Sequence, residues 1–461
     1  MEGRRRLGLA MRQRWRRFSS SSPPSTPTFD VVCVGGGAIG SAIADAVLRA
    51  DSSLSVCVVE RDPTYTYASS ALSVGSIRQQ FSLAENVRIS QYGVEFIKEL
   101  SLDEECSVQF DPGGYAFLAS SESGAVQLRE NVRVQRENGA DVRLFGGGKA
   151  FSDHFPWCQV DDVVEATLGS PGQEGWFDPF TLTTALRKRA VARGATFVHG
   201  EARAIRTGSG SGSGRVVESV VFKDPQGNVG EVRCGHTMIN AAGCWSQGVL
   251  NLALSDGHES SSSFSSSSSP SSSPAQRSKE AAALLPVVPR KRNVFVVHCA
   301  TPLLPGVPLL CDPSGFYVRR EGDAERGLFL VGGMESAKTT DPDCEGRGDE
   351  LVVDHALWEE HLWPALAERI PAFEACKVQS AWSGFYDYNT LDQNALLGLV
   401  PGFDNMQVAT GFSGHGIQQA PAVGRAVAER IVYGEEQSLD LSVFEVSRVV
   451  ENRPIFEQNI V

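Results

Sequence analysis

The 461-residue chain lacks any apolar stretch of the ~20 residues that a helix needs to cross a bilayer, so the sequence predicts no membrane span. Its ten cysteines are scattered, without a Cys-x-x-Cys pair, and no histidine cluster has the spacing of metal ligands. We therefore expect reduced structural thiols, such as Cys33 and Cys57 inside predicted core strands, and no metal site.

Acidic residues are almost absent from residues 1–29, although the whole chain has a net charge of −13. This segment holds seven arginines, one acid (Glu2) and a closing run of serine and proline. Such a composition is typical of an organelle transit peptide, and residues 16–19 (RRFS) resemble a mitochondrial processing site. We predict a disordered transit peptide over residues 1–27 and a location in the mitochondrial matrix. A disordered basic tail and a plastid location are the alternatives. The acidic remainder argues against nucleic acid as a partner.

The most informative pattern that is present covers residues 29–62. An apolar run over 29–34 leads into GGGAIG at 35–40, a helical pattern continues to about Ala50, and a second apolar run ends at Glu60. In a strand–helix–strand unit with G-x-G-x-x-G, the glycines allow a tight turn, a close approach to a pyrophosphate and helix packing. The helix N-terminus then faces the phosphates, and the acid can accept hydrogen bonds from a ribose. We predict an adenine dinucleotide site; a glycine-rich turn in an unrelated α/β protein is the alternative.

A second glycine-rich turn, near the C-terminus, favours flavin over nicotinamide. Residues 409–416 read ATGFSGHG and lead into a helical pattern that continues to about Tyr433. A helix N-terminus at the pyrimidine edge of the flavin ring stabilises the negative charge that develops there on reduction. Residues 241–245 (AAGCW) and 68–71 (ASSA) offer two further approaches to a long cofactor. We therefore predict FAD, with a nicotinamide-dependent dehydrogenase as the alternative.

Local patterns predict three further helices. Residues 82–85 (SLAE) are typical of a capping box and predict a helix to about Leu100. Asp178 followed by Pro179 predicts the start of a second helix. A third helix over residues 354–369 is expected to break at Pro364.

The predicted fold is α/β (α+β overall), with an FAD-binding Rossmann-like domain and an inserted substrate domain built on a mixed or antiparallel sheet. Strand-like runs at 293–297, 315–319 and 328–331 would form the inserted sheet. The Gly/Ser run at 208–214 predicts an elongated hairpin loop. The predicted boundaries are 28–105, 176–254 and 380–436 for the FAD domain, 106–175 and 281–379 for the substrate domain, 255–280 for a disordered serine-rich insertion and 437–461 for a C-terminal tail.

Several longer phrases resemble the flavin-dependent D-amino-acid oxidase and sarcosine oxidase/dehydrogenase superfamily. They are ASSALSVGSIRQQF (68–81), NAAGCWS (240–246), PVVPRKR (286–292) and GFSGHGIQQAP (411–421). EGWFDP (174–179) and DYNTLDQN (387–394) are similar to a mitochondrial group within that superfamily. The resemblance implies oxidation of N-methyl or α-amino groups of small amino acids. For the mitochondrial group it also implies a link to the assembly of respiratory complex I.

Two departures from the superfamily pattern shape the expected chemistry. Sarcosine oxidases carry a lysine just after the GHG turn, where this chain has Gln418, so a dehydrogenase that passes electrons to a carrier protein or quinone fits better than an oxidase. The cysteine and histidine that attach flavin covalently in relatives have no match in residues 383–386 or 69–75. We predict that FAD is bound non-covalently.

The resemblance also supplies candidate catalytic residues. Tyr386 and Tyr317 fall where relatives place pocket tyrosines, Arg78 where they place an arginine near flavin and substrate, and His415 lies in the GHG turn. The alternatives are packed tyrosines, a structural ion pair for Arg78 and a turn-shaping role for His415. The residues predicted to contact FAD are Gly35, Gly37, Ala38, Ile39, Gly40, Glu60, Arg61, Ser69, Ser70, Gly75, Ala202, Ala242, Gly243, Trp245, Gly411, Gly414, His415, Gly416, Ile417 and Gln418.

The sequence thus predicts an FAD-dependent oxidoreductase, a dehydrogenase of a small amine or amino-acid-like donor by hydride transfer to flavin N5. The alternative is a non-catalytic flavoprotein whose FAD is structural and which binds complex I intermediates during assembly. Both functions require the same cofactor site, so the sequence does not separate them.

Overall fold

The computed structural model of the protein describes residues 26–210, 214–255, 281, 283–303, 306–334 and 341–459. The predicted transit peptide, apart from its last two residues, and the serine-rich insertion after residue 255 lie outside the described residues. Both therefore stay predictions, as does the division into domains at the boundaries given above.

The strands, in chain order, are β1 (Thr28–Val34), β2 (Val56–Glu60), β3 (Ser76–Ile77), β4 (Phe110–Asp111), β5 (Tyr115–Ala119), β6 (Val142–Gly146), β7 (Glu165–Gly169), β8 (Gly175–Phe177), β9 (Thr196–His199), β10 (Glu201–Ser209), β11 (Arg215–Lys223), β12 (Val229–Asn240), β13 (Val287–His298), β14 (Leu309–Cys311), β15 (Phe316–Arg320), β16 (Leu328–Gly333), β17 (Lys377–Asn389), β18 (Leu396–Leu399) and β19 (Met406–Thr410).

The α-helices cover Ala38–Ala50, Ser69–Leu72, Ala84–Ser101, Glu122–Glu137, Gly148–Ser152, Pro179–Ala192, Ser246–Leu254, His355–Leu357, Trp363–Arg369, Gly416–Tyr433 and Ser447–Val450. A π-helical turn covers Trp358–Leu362, and short 3₁₀ helices cover Gly243–Trp245, Ala324–Arg326, Gly348–Glu350, Pro371–Phe373 and Ser442–Phe444.

The first large sheet has the order β10-β11-β12-β1-β2-β9, and β19 pairs with β12 and carries β18. β1 is parallel to β2 and β12, and β12 is parallel to β19. This is the predicted Rossmann-like arrangement, with the helix Ala38–Ala50 between β1 and β2. The pairing of β10 with β11 agrees with the predicted hairpin, of which residues 211–213 lie outside the described residues.

Alternate side chains of β1 enter two separate cores, as the two-residue period of a strand requires. Val31 and Cys33 pack with the helices Ala38–Ala50 and Gly416–Tyr433. Val32 and Val34 pack on the other face, against the helix Ser246–Leu254. The sheet is therefore covered by helices on both faces, which explains the continuous apolar run in its parallel strands.

The second large sheet has the order β17-β13-β16-β15-β14-β5-β7-β6 and is antiparallel except between β14 and β5. The strands predicted near 293–297, 315–319 and 328–331 are β13, β15 and β16 of this sheet. β17, whose residues 380–389 we assigned to the FAD domain, pairs along β13 within this second sheet. A small sheet with the order β3-β8-β4 accompanies the two large ones.

Two helix-end predictions were wrong. The helix Ala84–Ser101 has no side-chain cap from Ser82; instead, the Glu457 carboxylate accepts the backbone N–H of Ser82 at 2.6 Å and of Leu83 at 3.2 Å. A distant residue thus supplies the acceptors that the local capping box was expected to supply. The helical run near Pro364 continues past that residue, because the π-turn ends just before it and the proline falls in the first turn of Trp363–Arg369, where no backbone donor is needed.

The segment predicted as a C-terminal tail packs onto the first sheet and its helices. Arg448 and Asp392 form a buried ion pair, with Nε to Oδ2 at 3.0 Å and Nη2 to Oδ1 at 3.1 Å. Arg448 also donates to the carbonyl oxygens of Phe444 and Ala395. Within the described ranges, no helix has the length and apolarity needed to cross a bilayer.

We expect Arg448→Met to lower the free energy of unfolding by about 3–5 kcal/mol, because it leaves the buried Asp392 carboxylate without its cationic partner. Arg453→Met is the matched control, since that arginine is largely exposed and pairs with Glu451 at the surface; its effect should stay within about 0.5 kcal/mol. Urea unfolding of both variants measures the difference. Equal, small effects would contradict a stabilising role for the buried pair.

Candidate active site

A cavity of about 550 Å³ is lined by residues of both large sheets. It lies where the parallel strands of the first sheet end, since Val34 is in register with Val59 and Asn240, and Asn240 with Val408. The carboxyl ends of parallel strands form the ligand-binding edge of an open α/β sheet. The cavity therefore lies at the edge that the strand–helix–strand motif predicts.

The three motif glycines face different surroundings. A Cβ on Gly35, whose φ is +101°, would collide with the Ala241 carbonyl oxygen, and a Cβ on Gly40 would collide with the Gly35 carbonyl oxygen. Gly37 has a φ of −64°, and the nearest atom to a Cβ placed there is Ser70 Oγ at 3.5 Å. Gly35 and Gly40 are thus required by the protein's own packing, whereas Gly37 leaves room beside the cavity.

Two long helices begin at the cavity. The helix Ala38–Ala50 has Gly37 as its N-cap, and the helix Gly416–Tyr433 has His415. Neither first turn contains an acidic residue, so the partial positive charge of each N-terminus is not neutralised there. A Cβ at Gly414 or Gly243 would meet no atom within 4 Å, so open space borders the backbone at both turns. The site has the donors and the room that a flavin dinucleotide requires.

The predicted ribose acid, Glu60, is fixed by the backbone. Its Oε2 accepts the N–H of Gly36 at 2.7 Å and its Oε1 accepts the N–H of Asp62 at 2.7 Å, which leaves acceptor capacity on both oxygens. The next residue, Arg61, stacks its guanidinium 3.7 Å from the ring centroid of Trp245. Glu60 at the end of β2, Arg61 after it and Trp245 in the 3₁₀ helix after β12 all line the cavity.

All but three of the residues predicted to contact FAD line the cavity. The exceptions are Gly40, Gly75 and Gly411, which lie outside the cavity lining and are surrounded by other protein atoms. Gly75 and Gly411 have φ values of +68° and +72°, and a Cβ on Gly75 would collide with the Phe177 carbonyl oxygen. The contacts of the other residues with FAD stay predictions.

Arg78 is buried, and its guanidinium is occupied by protein groups. One Nη donates to the Gln80 carbonyl oxygen, the other to the Asn459 carbonyl oxygen at 2.5 Å, and the latter Nη also lies 3.2 Å from His415 Nε2. The predicted alternative for Arg78, a structural ion pair, is not what these contacts form, because its acceptors are neutral. They favour a positioning role at the flavin end of the cavity over a substrate anchor.

His415 is kept neutral by its surroundings. Burial, reinforced by the adjacent Arg78 charge, lowers the pKa of His415 to about 3. Because arginine only donates hydrogen bonds, Nε2 must accept from Arg78, and the proton of the neutral ring is therefore on Nδ1. His415 thus presents a neutral imidazole to the cavity, with one N–H donor.

The two pocket tyrosines lie on the second sheet beside an arginine. The Tyr386 hydroxyl donates to Asp341 Oδ2 at 2.7 Å, and the Arg292 guanidinium lies 2.7 Å from the same oxygen. Tyr386, Arg292 and Tyr317 all line the cavity. Burial raises the pKa of Tyr317 to about 12 and also raises the pKa of Tyr386, so both hydroxyls are neutral at physiological pH.

Sequence reasoning missed several cavity residues, above all Arg292. It lies inside the phrase PVVPRKR, where the two-residue spacing of Arg290 and Arg292 along a strand could have indicated that both lie on one face. In the structure Arg290 pairs with Tyr386 of β17, and Arg292 pairs with Gly384. Asp387 was also missed. It lines the cavity, and its Oδ2 accepts the Phe412 N–H at 3.1 Å, which ties β17 to the turn before the helix Gly416–Tyr433. Burial raises the pKa of Asp387 to about 6.

The family model for FAD-dependent oxidoreductases, DAO, matches residues 30–430. The chain belongs to this DAO family. Its cofactor is FAD, as the cavity and the two helix N-termini indicate. The FAD-dependent oxidoreductase domain-containing protein 1 of Xenopus laevis is 41% identical to this DAO protein over 470 residues, covering 96% of this chain and 88% of the relative.

Solved structures share the DAO fold at lower identity. L-proline dehydrogenase from P. horikoshii has a TM-score of 0.73 and 22% identity, covering 93% of this chain and 100% of that one. Glycine oxidase from Geobacillus kaustophilus has a TM-score of 0.67 and 22% identity, covering 92% and 99%. These similarities confirm the predicted fold class.

We expect Gly37→Ala to weaken FAD binding by about tenfold or more without unfolding the protein, because the new methyl group fits the backbone but occupies space beside the cofactor. FAD titration of the apoprotein, followed by fluorescence quenching, measures the dissociation constant. Gly40→Ala is the control that should instead destabilise the fold, since its methyl group meets the Gly35 carbonyl oxygen. An unchanged FAD affinity in Gly37→Ala would refute the pyrophosphate site.

We expect His415 to cause no inflection near 6.5, the ordinary pKa of histidine, in the pH profile of flavin reduction, because its pKa is lowered to about 3. Between pH 6.5 and about 3, this histidine binds a proton in the unfolded state but not in the folded state. The free energy of unfolding is therefore unaffected by His415 above pH 6.5, and it falls as the pH falls from 6.5 towards 3. Stopped-flow reduction of wild type and His415→Asn tests this; an inflection near 6.5 that His415→Asn abolishes would contradict it.

Proposed function

We propose that this protein is a dehydrogenase that oxidises the carbon–nitrogen bond of a small amine carrying a carboxylate. The observation that carries the proposal is the position of Arg292 and Tyr386 in the same cavity as the N-terminus of the helix Gly416–Tyr433. L-proline dehydrogenase and glycine oxidase, whose fold this chain shares, are named for amino-acid substrates. An amino-acid-like donor is the class that such a cavity suits.

In this proposal Arg292 binds the substrate carboxylate. A guanidinium presents its N–H donors in a planar fork, and bidentate geometry favours a carboxylate as the partner. Asp341 is a positioning residue, since it lies outside the cavity lining and accepts hydrogen bonds from both Arg292 and Tyr386. Arg292 therefore replaces Arg78 as our candidate anchor.

The other cavity residues hold the donor and exclude water. Tyr317 and Tyr386 supply neutral hydroxyl groups and aromatic faces, and Val294 and Leu309 supply apolar wall. FAD, held at the N-termini of the helices Ala38–Ala50 and Gly416–Tyr433, would supply the hydride acceptor for the carbon next to the amine. The neutral amine provides the electron pair for the new carbon–nitrogen double bond, so no strong protein base is required, and His415 is too weakly basic to serve as one.

The electron acceptor in our proposal is a carrier protein or a quinone. No lysine lines the cavity among the described residues. Gln418 lies at the position where sarcosine oxidases carry lysine. Its side-chain Oε1 is held by another protein group, since it accepts the backbone N–H of Arg78 at 3.0 Å. A cation that would assist electron transfer to dioxygen is therefore missing at that position.

The location and the wider role rest on the sequence. The arginine-rich residues 1–29 support a mitochondrial matrix location, and the resemblance to the mitochondrial group supports a role in complex I assembly. The alternative function, an assembly factor with structural FAD, requires the same cofactor site but no working donor site. The two functions are separated by whether any donor reduces the bound flavin.

The test is anaerobic addition of proline, sarcosine, dimethylglycine and a panel of D- and L-amino acids to the FAD-loaded protein, with the visible flavin band as the readout. Bleaching by one member supports the proposal and identifies the donor class. If dithionite reduces the flavin but no carboxylate-bearing amine does, the proposal fails and structural FAD gains support.

We expect Arg292→Lys and Arg292→Met to raise the KM for the donor by about 10- to 100-fold, since a hydrogen bond to a charged group contributes about 1.5–3 kcal/mol. Arg290→Met is the matched control on the same strand. That residue stacks on Tyr388 at 3.4 Å, pairs with Asp343 and lies outside the cavity lining. Steady-state kinetics with the identified donor measures the effect, and an equal KM for all variants would remove Arg292 from the site.

We expect the reduced protein to be reoxidised by dioxygen more slowly than by a soluble quinone analogue, by a factor on the order of ten, which is about 1.4 kcal/mol in the barrier. The reason is the glutamine at position 418. Mixing the reduced protein with air-saturated buffer or with the quinone, each followed by the return of the flavin band, gives both rates. Faster reoxidation by dioxygen would mark the protein as an oxidase.

A further inference from the structure

The last described residues of the chain enter the protein core next to the flavin end of the cavity. Along residues 456–459, Glu457 and Asn459 are 4% and 8% exposed, whereas Phe456 and Gln458 are exposed. Buried and exposed residues therefore alternate along the segment, so one side of it faces the protein. Its buried side faces the loop that carries Arg78 and the start of the helix Ala84–Ser101.

Several polar contacts fix this segment in place. The Glu457 carboxylate accepts from the N–H groups of Ser82 and Leu83 and from Asn86 Nδ2, the last at 3.1 Å. The Gln458 N–H donates to Ser82 Oγ at 2.8 Å. A carboxylate at a helix N-terminus is stabilised both by these donors and by the helix dipole. Glu457 is therefore the anchor of the segment.

Asn459 connects the anchored segment to the active site. Its side-chain Nδ2 donates to the Gln80 carbonyl oxygen at 2.7 Å, and its own carbonyl oxygen accepts from Arg78 Nη2 at 2.5 Å. The same Nη2 lies 3.2 Å from His415 Nε2. The contacts thus connect this segment, through Arg78, to the N-cap of the helix Gly416–Tyr433.

Arg78 is an unusual cation, because it is 1% exposed and has no carboxylate within ion-pair distance in the part of the chain that the structure describes. Only carbonyl oxygens and the neutral His415 ring accept its hydrogen bonds. A buried charge that is solvated by dipoles depends on their position, since removing one acceptor leaves a desolvated donor. Its charge remains available to stabilise negative charge in the cavity that it lines.

We propose that residues 455–459 contribute to the flavin site, because Asn459 positions Arg78 next to the cofactor and, through Arg78, also positions His415. Glu457 and Asn459 are positioning residues, since neither lines the cavity. The proposal rests on FAD as the cofactor and does not depend on which amine is the donor. It makes this segment a determinant of the flavin's reduction potential.

The test compares Asn459→Ala with Gln458→Ala in the FAD-loaded protein. Asn459→Ala removes the hydrogen bond to Gln80 and loosens the carbonyl group that holds Arg78, whereas the Gln458 side chain is exposed and serves as the control. The flavin midpoint potential, measured by dithionite titration against a reference dye, should become more negative in Asn459→Ala only. A displaced cation stabilises the charge gained on reduction less well. A potential equal to that of Gln458→Ala, even with a lower melting temperature, would overturn the proposal.

A second measurement needs no variant. Because coupling between two sites is reciprocal, bound FAD should protect residues 455–459 in the wild-type protein. Amide hydrogen exchange over residues 455–459, followed by mass spectrometry, should be slower with FAD than without it, on the order of tenfold, which is about 1.4 kcal/mol of coupling. Equal rates would show that the segment docks independently of the cofactor and would contradict the proposal. Neither readout requires an amine donor, so a failure here is distinct from a failure of the dehydrogenase assignment.

Discussion

The parallel register of β2, β1, β12 and β19 is the constraint on which the site depends. It aligns Val59, Val34, Asn240 and Val408, so the segments that follow all emerge at one edge of the sheet. Two of them continue as helices whose positive N-termini border the same cavity. Segments that are distant in the sequence thereby form a single binding site for a long anionic cofactor.

The second sheet supplies the groups for the substrate, and its position relative to the first sheet is held by polar contacts. Near the end of β17, the side-chain carboxylate of Asp387 accepts the backbone N–H of Phe412, in the turn before the helix Gly416–Tyr433. The backbone carbonyl oxygen of Asp387 accepts the N–H of Ser413 at 3.0 Å. Arg292 and Tyr386, on the paired strands β13 and β17, share the acceptor Asp341. The same two strands thus position the proposed anchor and connect it to the flavin side of the cavity.

The sequence predicted those features that depend on short-range patterns. The spacing from Gly35 to Glu60 predicted the strand–helix–strand unit. The resemblance led to Tyr317 and Tyr386 and the glycine-rich turn to His415, and all three line the cavity. It did not predict features set by distant partners. The N–H groups before the helix Ala84–Ser101 are bound by Glu457 rather than by a local cap, and Arg78 donates to Asn459. Such pairings join residues more than 300 positions apart, and no local pattern encodes them.

The account's central claim is that one cavity binds both FAD and the carboxylate of an amine donor. The most direct measurement compares anaerobic flavin reduction by the donor amino acid and by the same amine without its carboxylate, in wild type and in Arg292→Met. The account predicts rapid reduction of the wild-type protein by the acid only, with the preference lost in the variant. Equal reduction of the wild-type flavin by both compounds, or an unchanged preference in Arg292→Met, would contradict it.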